Sequence, residues 1–332
     1  NGQACLPDTL RSVAGLDYPH YEVIVVDDAS TDRSAEIARS HGVAVVSLSW
    51  NQGPAHARNQ GAKHASYDTL LFTDSDVLIP KSLLTMLDER FIESGADAIQ
   101  GTFSSVCPYA NFFSQYKNLY NRFVLNRLPD WIDTTFTSVT AVRLHAFLDC
   151  GGFDDRIRGA SVEDRTLGRN LRKHGYRIRL DRSLEVIHNK KLLFSGFIRN
   201  QYRRSRDLSK LLLRNREDTV PQQEIASSFD QTGRFGTNAL STMIRIPIAY
   251  CGLSQALCVP WIPAFGWVAG LFFLLFLGLI WRFEWELMKR KGLQFALVGI
   301  PVNFLDALIS GAGIGWGIID YFLLQKKYWN IF

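Results

Sequence analysis

Twenty consecutive residues, 262–281 (IPAFGWVAGLFFLLFLGLIW), carry no charge. At about 1.5 Å per residue, a helix of that length covers the roughly 30 Å hydrocarbon core of a bilayer. No other stretch narrows the fold as sharply. Inside lipid every backbone N–H and C=O must be satisfied within the segment, so the run has to be a helix. Trp261, Trp267, Trp281 and Trp285 sit near its ends, as an aromatic belt does. A weaker span, 240–259, is interrupted by Arg245 and Pro247. A third stretch, 293–324, carries Asp306 in its middle and a GAGIGWG run, and reads as one tilted helix or a broken pair. The count of membrane helices is therefore two to four. The loop 288–291 (MKRK) and the region ahead of residue 237 are both basic. The positive-inside rule places both on the cytoplasmic side of a cytoplasmic (inner) membrane, with an even number of crossings between them.

Up to about residue 235 the composition is that of a soluble α/β protein. The chain has 332 residues and a net charge of +5, and the basic excess is local: Arg199, Arg203, Arg204, Arg206, Lys210, Arg214 and Arg216 crowd just ahead of the apolar region. Five of these recur at steps of three or four and share one helical face. Beside so apolar a sequence, such a face suits anionic lipid headgroups and an interfacial helix rather than nucleic acid. The domain reading is 1–190 for an α/β domain, 191–236 for a basic amphipathic interfacial segment, and 237–332 for transmembrane helices. Five cysteines without any CxxC spacing fit buried thiols in a reducing compartment. The sequence opens on NGQACLPDTL, already a helix start, so a first strand is expected to precede residue 1.

Strand and helix signals alternate through the first hundred residues. Glu22–Val26 is a β-branched run ending in Asp27-Asp28, and Val43–Leu48 is the next strand. Residues 54–65 are helical in composition, 68–73 form a third strand, 80–94 a helix with proline in its first turn, and 97–103 a fourth strand. The alternation predicts a doubly wound, mostly parallel sheet, with ligands beyond the carboxyl ends of its strands. Both Asp27-Asp28 and Asp74-Ser75-Asp76 stand at such ends. Further on, 108–127 reads as an aromatic helix, 136–142 as a strand, a helix starts near Ser161, and 176–180 and 184–188 read as two strands. Residues 192–216 read as an amphipathic helix. Two carboxylates one residue apart can divide their work between a ribose hydroxyl and a hard divalent cation.

In order and spacing, VIVVDDASTD, NQGPAHARNQG (51–61) and DTLLFTDSDVLIP resemble family 2 glycosyltransferases of the GT-A fold. The likeness continues in GGFDDR (151–156) and VEDRTLGRNLRKHGYRI (162–178), and covers roughly residues 1–215. The resemblance implies a nucleotide-diphosphate sugar (UDP- or GDP-sugar) as donor and Mg2+ or Mn2+ as cofactor. It implies that Asp28 contacts the nucleobase, Arg58 lines the nucleotide site, Asp74 faces the ribose and Asp76 ligates the metal. Gly152 of the GGF turn joins the nucleotide-sugar site. Asp164, beside Glu163, is the base that deprotonates the acceptor hydroxyl, and a first-turn helical acid is held ionised by the helix end. His188 is implied as a second metal ligand, although a lone histidine closing a strand is also an ordinary structural feature. Lys190 and Lys191 could face the diphosphate or the lipid surface. QYRRS (201–205) resembles the QxxRW motif of processive polysaccharide synthases, which implies Gln201 and Arg204 near the donor diphosphate; Ser205 stands where those enzymes have tryptophan.

The membrane-tethered bacterial members of that family lead to one expectation: an inverting, metal-dependent enzyme acting on a lipid-linked or membrane-delivered acceptor. A processive polysaccharide synthase is the enzyme alternative. A nucleotide-binding transport or scaffold component is the non-enzyme one, with Asp306 and the glycine run as its only support.

Overall fold

The computed structural model describes residues 1–217 and 237–324; the part of the expected interfacial segment at 218–236 lies outside them. The chain packs as two compact units. One holds Asn1–Ala110 and Leu128–Lys191; the other holds Asn111–Arg127 and the helices after Leu192.

In the first unit the four expected strands alternate with helices, and a short strand that was not expected, β4, follows β3 directly. Its elements are α1 (Leu6–Ala14), β1 (Ile24–Asp27), α2 (Ser34–Ser40), β2 (Ala44–Ser47), α3 (Pro54–Lys63), β3 (Thr69–Phe72), β4 (Val77–Leu78), α4 (Leu83–Ser94) and β5 (Ala98–Phe103). Strands β1 and β2 pair in parallel. Beyond β5 the sheet becomes mixed. The later elements, with the aromatic helix α5 (Phe112–Leu125) set aside for the second unit, are β6 (Trp131–Ile132), β7 (Thr140–Arg143), α6 (Leu144–Asp149), α7 (Glu163–Lys173) and β8 (Ile178–His188). Strand β7 inserts antiparallel between β3 and β5, β8 runs parallel to β5, and β4 and β6 pair antiparallel with β8.

The two late strands expected at 176–180 and 184–188 are one strand, β8. Its register against β5 jumps from Gln100↔Leu180 to Thr102↔Glu185, so residues 181–184 bulge. Turn-forming Asp181 and Ser183 produce the gap in the sequence pattern. Strand β5 is buried along its whole length, as a central strand covered on both faces should be. The core beside the site packs Phe72 of β3 against Phe147 and Phe153, ring centroids 5.2 and 5.1 Å apart. Burying each such ring stabilises the unit by about 2 kcal/mol.

The second unit is helical: α5, α8 (Phe194–Glu217), α9 (Thr237–Cys258), α10 (Phe265–Lys291) and α11 (Leu293–Phe322). Helices α10 and α11 are long and apolar enough to cross a membrane. The stretch from 293 is one continuous helix, and its glycines explain why. A Cβ on Gly317 would lie 2.0 Å from Ser209 Oγ, and one on Gly313 would lie 2.5 Å from the Tyr202 carbonyl. The run thus lets α11 lie directly on α8. Aromatic residues of α5 (Phe112, Tyr116) pack with Phe197, Phe283 and Phe295. The basic face of α8 is not uniformly outward. Arg199, Arg203 and Arg204 are exposed, but Lys210 is buried and pairs with Asp320 at 2.7 Å, and Arg214 is buried.

Candidate active site

Strand register assembles the site. Val77 lies opposite His188 in the β4–β8 ladder, and the Asn189 amide donates to the Asp76 carbonyl at 2.7 Å. Residues 111 and 113 positions apart in sequence are thereby fixed side by side. His188 Nε2 lies 3.6 Å from Asp76 Oδ1, and the Lys190 ammonium donates to Asp76 Oδ2 at 2.9 Å. The imidazole is stacked on Phe103, centroids 5.3 Å apart. Burial alone would raise the Asp76 pKa. The nearby His188 ring and the Lys190 ammonium outweigh it and hold the carboxyl well below its usual range.

Asp74 is held differently. Its Oδ1 accepts from Arg58 Nη2 at 2.8 Å and its Oδ2 from the Ser138 hydroxyl at 2.7 Å. Ser138 is presented by a one-turn helix, residues 137–139, which a buried glutamine ties down. Gln100 accepts from the Phe136 amide and the Thr140 hydroxyl and donates to the carbonyls of Phe136 and Val139. Both acids of the pair therefore emerge beyond β3 with different neighbours: Asp74 among fixed donors, Asp76 beside a histidine and a lysine.

Arg58 does more than line a pocket. Its other nitrogen, Nη1, donates to Glu163 Oε1 at 3.1 Å, and its guanidinium lies over the Phe153 ring. Burial pulls the Arg58 pKa down, but the two carboxylates prevail and raise it. Glu163 is 5% exposed in its side chain and also accepts the Ser161 amide. Asp164 is the more open of the two first-turn acids of α7; its Oδ1 accepts the Arg165 amide, and its carbonyl accepts from the Thr135 hydroxyl at 2.6 Å. That approach needs Gly168, where a Cβ would come within 2.6 Å of the Thr134 Cα.

Asp28 accepts two backbone amides of the loop after β2, Gln52 at 2.7 Å and Gly53 at 2.8 Å. It organises that loop and keeps further lone pairs. Gly53 has φ of 92°, and a Cβ there would lie 2.2 Å from the Arg158 carbonyl. The loops at 50–53 and 154–160 therefore touch through their backbones. Gly152, with φ of 66°, packs on Asn59 and Phe147. Its neighbourhood reveals a residue that the sequence reading passed over. The Asn59 amide group donates to the Phe153 carbonyl at 2.8 Å and accepts the Phe153 amide at 2.9 Å. The asparagine of the ARN segment thus clasps the GGF turn, and the pairing of those two motifs was its signal. Ser138 had no such signal.

Gln201 and Arg204 belong to the helical unit. Gln201 is buried there, accepts from Lys117 Nζ at 2.8 Å and donates to Asp306. Asp306 also pairs with Arg245 Nη2 at 2.5 Å.

Residues 1–152 match the sequence model of glycosyl transferase family 2. They are those of a family 2 glycosyltransferase. A poly-beta-1,6-N-acetyl-D-glucosamine synthase of Staphylococcus epidermidis is 40% identical to this chain over 83 residues, 24% of the chain and 20% of the relative. The enzyme of the same name from Staphylococcus aureus strain COL is 35% identical over 95 residues, 27% and 23% of the two. The chain thus spans about a fifth of the length of the curated relatives it matches. A solved structure, the mannosyltransferase PcManGT from Pyrobaculum calidifontis in complex with GDP-Man and Mn2+, superposes with a TM-score of 0.65. It covers 96% of this chain and 85% of its own at 17% identity, which establishes a shared GT-A fold.

Proposed function

We propose that the protein transfers a sugar, with inversion, from a nucleotide-diphosphate sugar to a lipid-linked acceptor at a membrane, using Mg2+ or Mn2+. The observation that carries this reading is the continuous acid cluster: Asp76 and His188 on one side, Asp74 at its centre, and Arg58 reaching from Asp74 to Glu163 at the head of α7.

The donor set fits a divalent ion. Asp76 and His188 offer one carboxylate oxygen and one imidazole nitrogen, and a cationic ammonium already stands on Asp76. Among the described residues no cluster of three or more His, Cys, Asp or Glu could form a closed protein cage. That suits an ion completed by substrate phosphates and water. When bound, it would neutralise charge building on the diphosphate leaving group. Asp28 and the loop it holds would meet the base, and Asp74, its carboxylate oriented by Arg58 and Ser138, the ribose. Asp164, at a helix start that favours its ionised form, would take the proton from the acceptor hydroxyl on the face opposite the diphosphate.

The apolar helices α10 and α11 support membrane anchoring. We read the protein as multi-pass, with its first unit in the cytoplasm, because the last turn of α10 at 288–291, which the sequence reads as a loop, and α8 are both basic. Polymer synthesis is favoured by the names of the curated relatives and opposed by Ser205. Asp306 is ion-paired with Arg245 and gives a transport role no support.

The test supplies purified protein with UDP- and GDP-sugars, Mg2+ or Mn2+, and membrane lipid extract. Release of nucleotide diphosphate dependent on lipid and metal is the expected result, with single-sugar products rather than chains. No release from any donor, together with no donor binding by calorimetry, overturns the reading.

A further inference from the structure

The Lys190 ammonium sits on Asp76 Oδ2, next to the oxygen, Oδ1, that faces His188 and that a divalent ion held by both residues would use. We propose that Lys190 is an exchangeable placeholder: it holds the metal seat while the donor is absent, and moves onto the donor diphosphate when metal and nucleotide arrive. The inference rests on the proposed glycosyltransferase site.

Three observations support it. First, the backbone around Lys190 is fixed while its side chain is not. The Asn189 amide donates to the Asp76 carbonyl at 2.7 Å, the Asn189 carbonyl accepts from Cys5 Sγ at 3.1 Å, and the Asn189 side chain donates to Asp8 at 3.1 Å. Asn189 is 5% exposed, whereas the Lys190 side chain is 53% exposed. Only the flexible four-carbon stem has to move. Second, the two acids of the pair differ in their partners. Both oxygens of Asp74 are engaged by Arg58 and Ser138, so Asp76 with His188 is the part of the pair left for a metal, and Lys190 is on it. Third, a divalent cation on Oδ1 and an ammonium on Oδ2 of one carboxylate stand close enough to repel each other strongly. Entry of the metal displaces the ammonium. A diphosphate arriving with the metal brings the negative charge that receives it.

The consequence is coupling. Metal alone must compete with Lys190, whereas metal with nucleotide finds the lysine a new partner, so each ligand strengthens the other. Binding then favours the metal–nucleotide pair over either alone.

The experiment measures Mn2+ binding to metal-depleted full-length protein by calorimetry and Mn2+ electron paramagnetic resonance, with and without UDP or GDP. Lys190→Met is expected to tighten Mn2+ binding without nucleotide by about tenfold and to weaken nucleotide binding with Mn2+, so that the coupling shrinks. Lys191→Met removes the same charge one residue on and is expected to leave Mn2+ binding without nucleotide within about twofold, as a screened charge should. If Lys190→Met leaves nucleotide-free Mn2+ binding unchanged or weaker, or if Lys191→Met tightens it equally, the placeholder is wrong while the site stands. If the unaltered protein binds neither UDP nor GDP with Mn2+, the site reading itself fails and the placeholder with it.

Discussion

Each unit of this molecule buries an arginine between two polar partners. In the first, Arg58 spans Asp74 and Glu163. In the second, Arg245 spans Asp306 and Asn303, and Asp306 takes Gln201 as well. The chemistry of the two is similar and the surroundings are not. Beyond Arg58 the cluster opens through Asp74, about a third exposed, towards Asp76 and a lysine that reaches solvent. Around Arg245 and Asp306 both ions are enclosed, and the Lys210–Asp320 pair further along the same helix is enclosed too. A buried charge network with an opening can receive a ligand; a closed one fixes which helix faces meet.

The sharpest way to test this contrast is Asp164→Asn. It should lower transfer about a thousandfold while donor binding persists, read by single-turnover kinetics beside calorimetry. Survival of turnover would remove the acceptor half of the open cluster. Asp306→Ala should act on the closed one, stranding Arg245 and costing about 3 kcal/mol in detergent unfolding, with nucleotide affinity unchanged. A parallel loss of nucleotide binding would mean that the closed network is not merely structural.

Lys117 sharpens the comparison through pH. Burial, with the nearby Arg204 adding repulsion, pushes its pKa down to about 7 from the usual lysine value of about 10.5. Between those values the unfolded chain binds a proton that the folded unit does not. Stability therefore rises as pH climbs through that window, by up to about 1.4 kcal/mol per unit. Lys117→Met should flatten the rise in a pH series of thermal melts. The smallest effect is expected from Arg58→Lys. A point charge cannot serve Asp74 and Glu163 together, so donor affinity should fall about fivefold with little change in unfolding.

The strands ending in acids, the helices between them and the long apolar spans were legible because each depends on local periodicity. Asp76 beside His188 was legible only through family resemblance; the β4–β8 register that joins them is set by a distant pairing. Arg58 between Asp74 and Glu163 was not legible, since a helix composition says nothing about which side chain crosses to another element. Asp181 and Ser183 concealed the continuity of β8. Lys210 read as a surface charge because its partner, Asp320, sits near the end of a mostly apolar helix distant in sequence.

The aromatic helix α5 has a consequence for how the chain is made. It lies between β5 and β6 in sequence, yet Tyr116 packs against Phe197 and Phe283. A ribosome delivers Phe283 roughly ten to thirty seconds after Tyr116. Through that interval α5 leaves the exit tunnel with its ring-bearing side unmatched. A chain stopped at residue 191 would never match it. Such a shortened protein should be sticky and demand detergent, even though every acid of the proposed donor site is present.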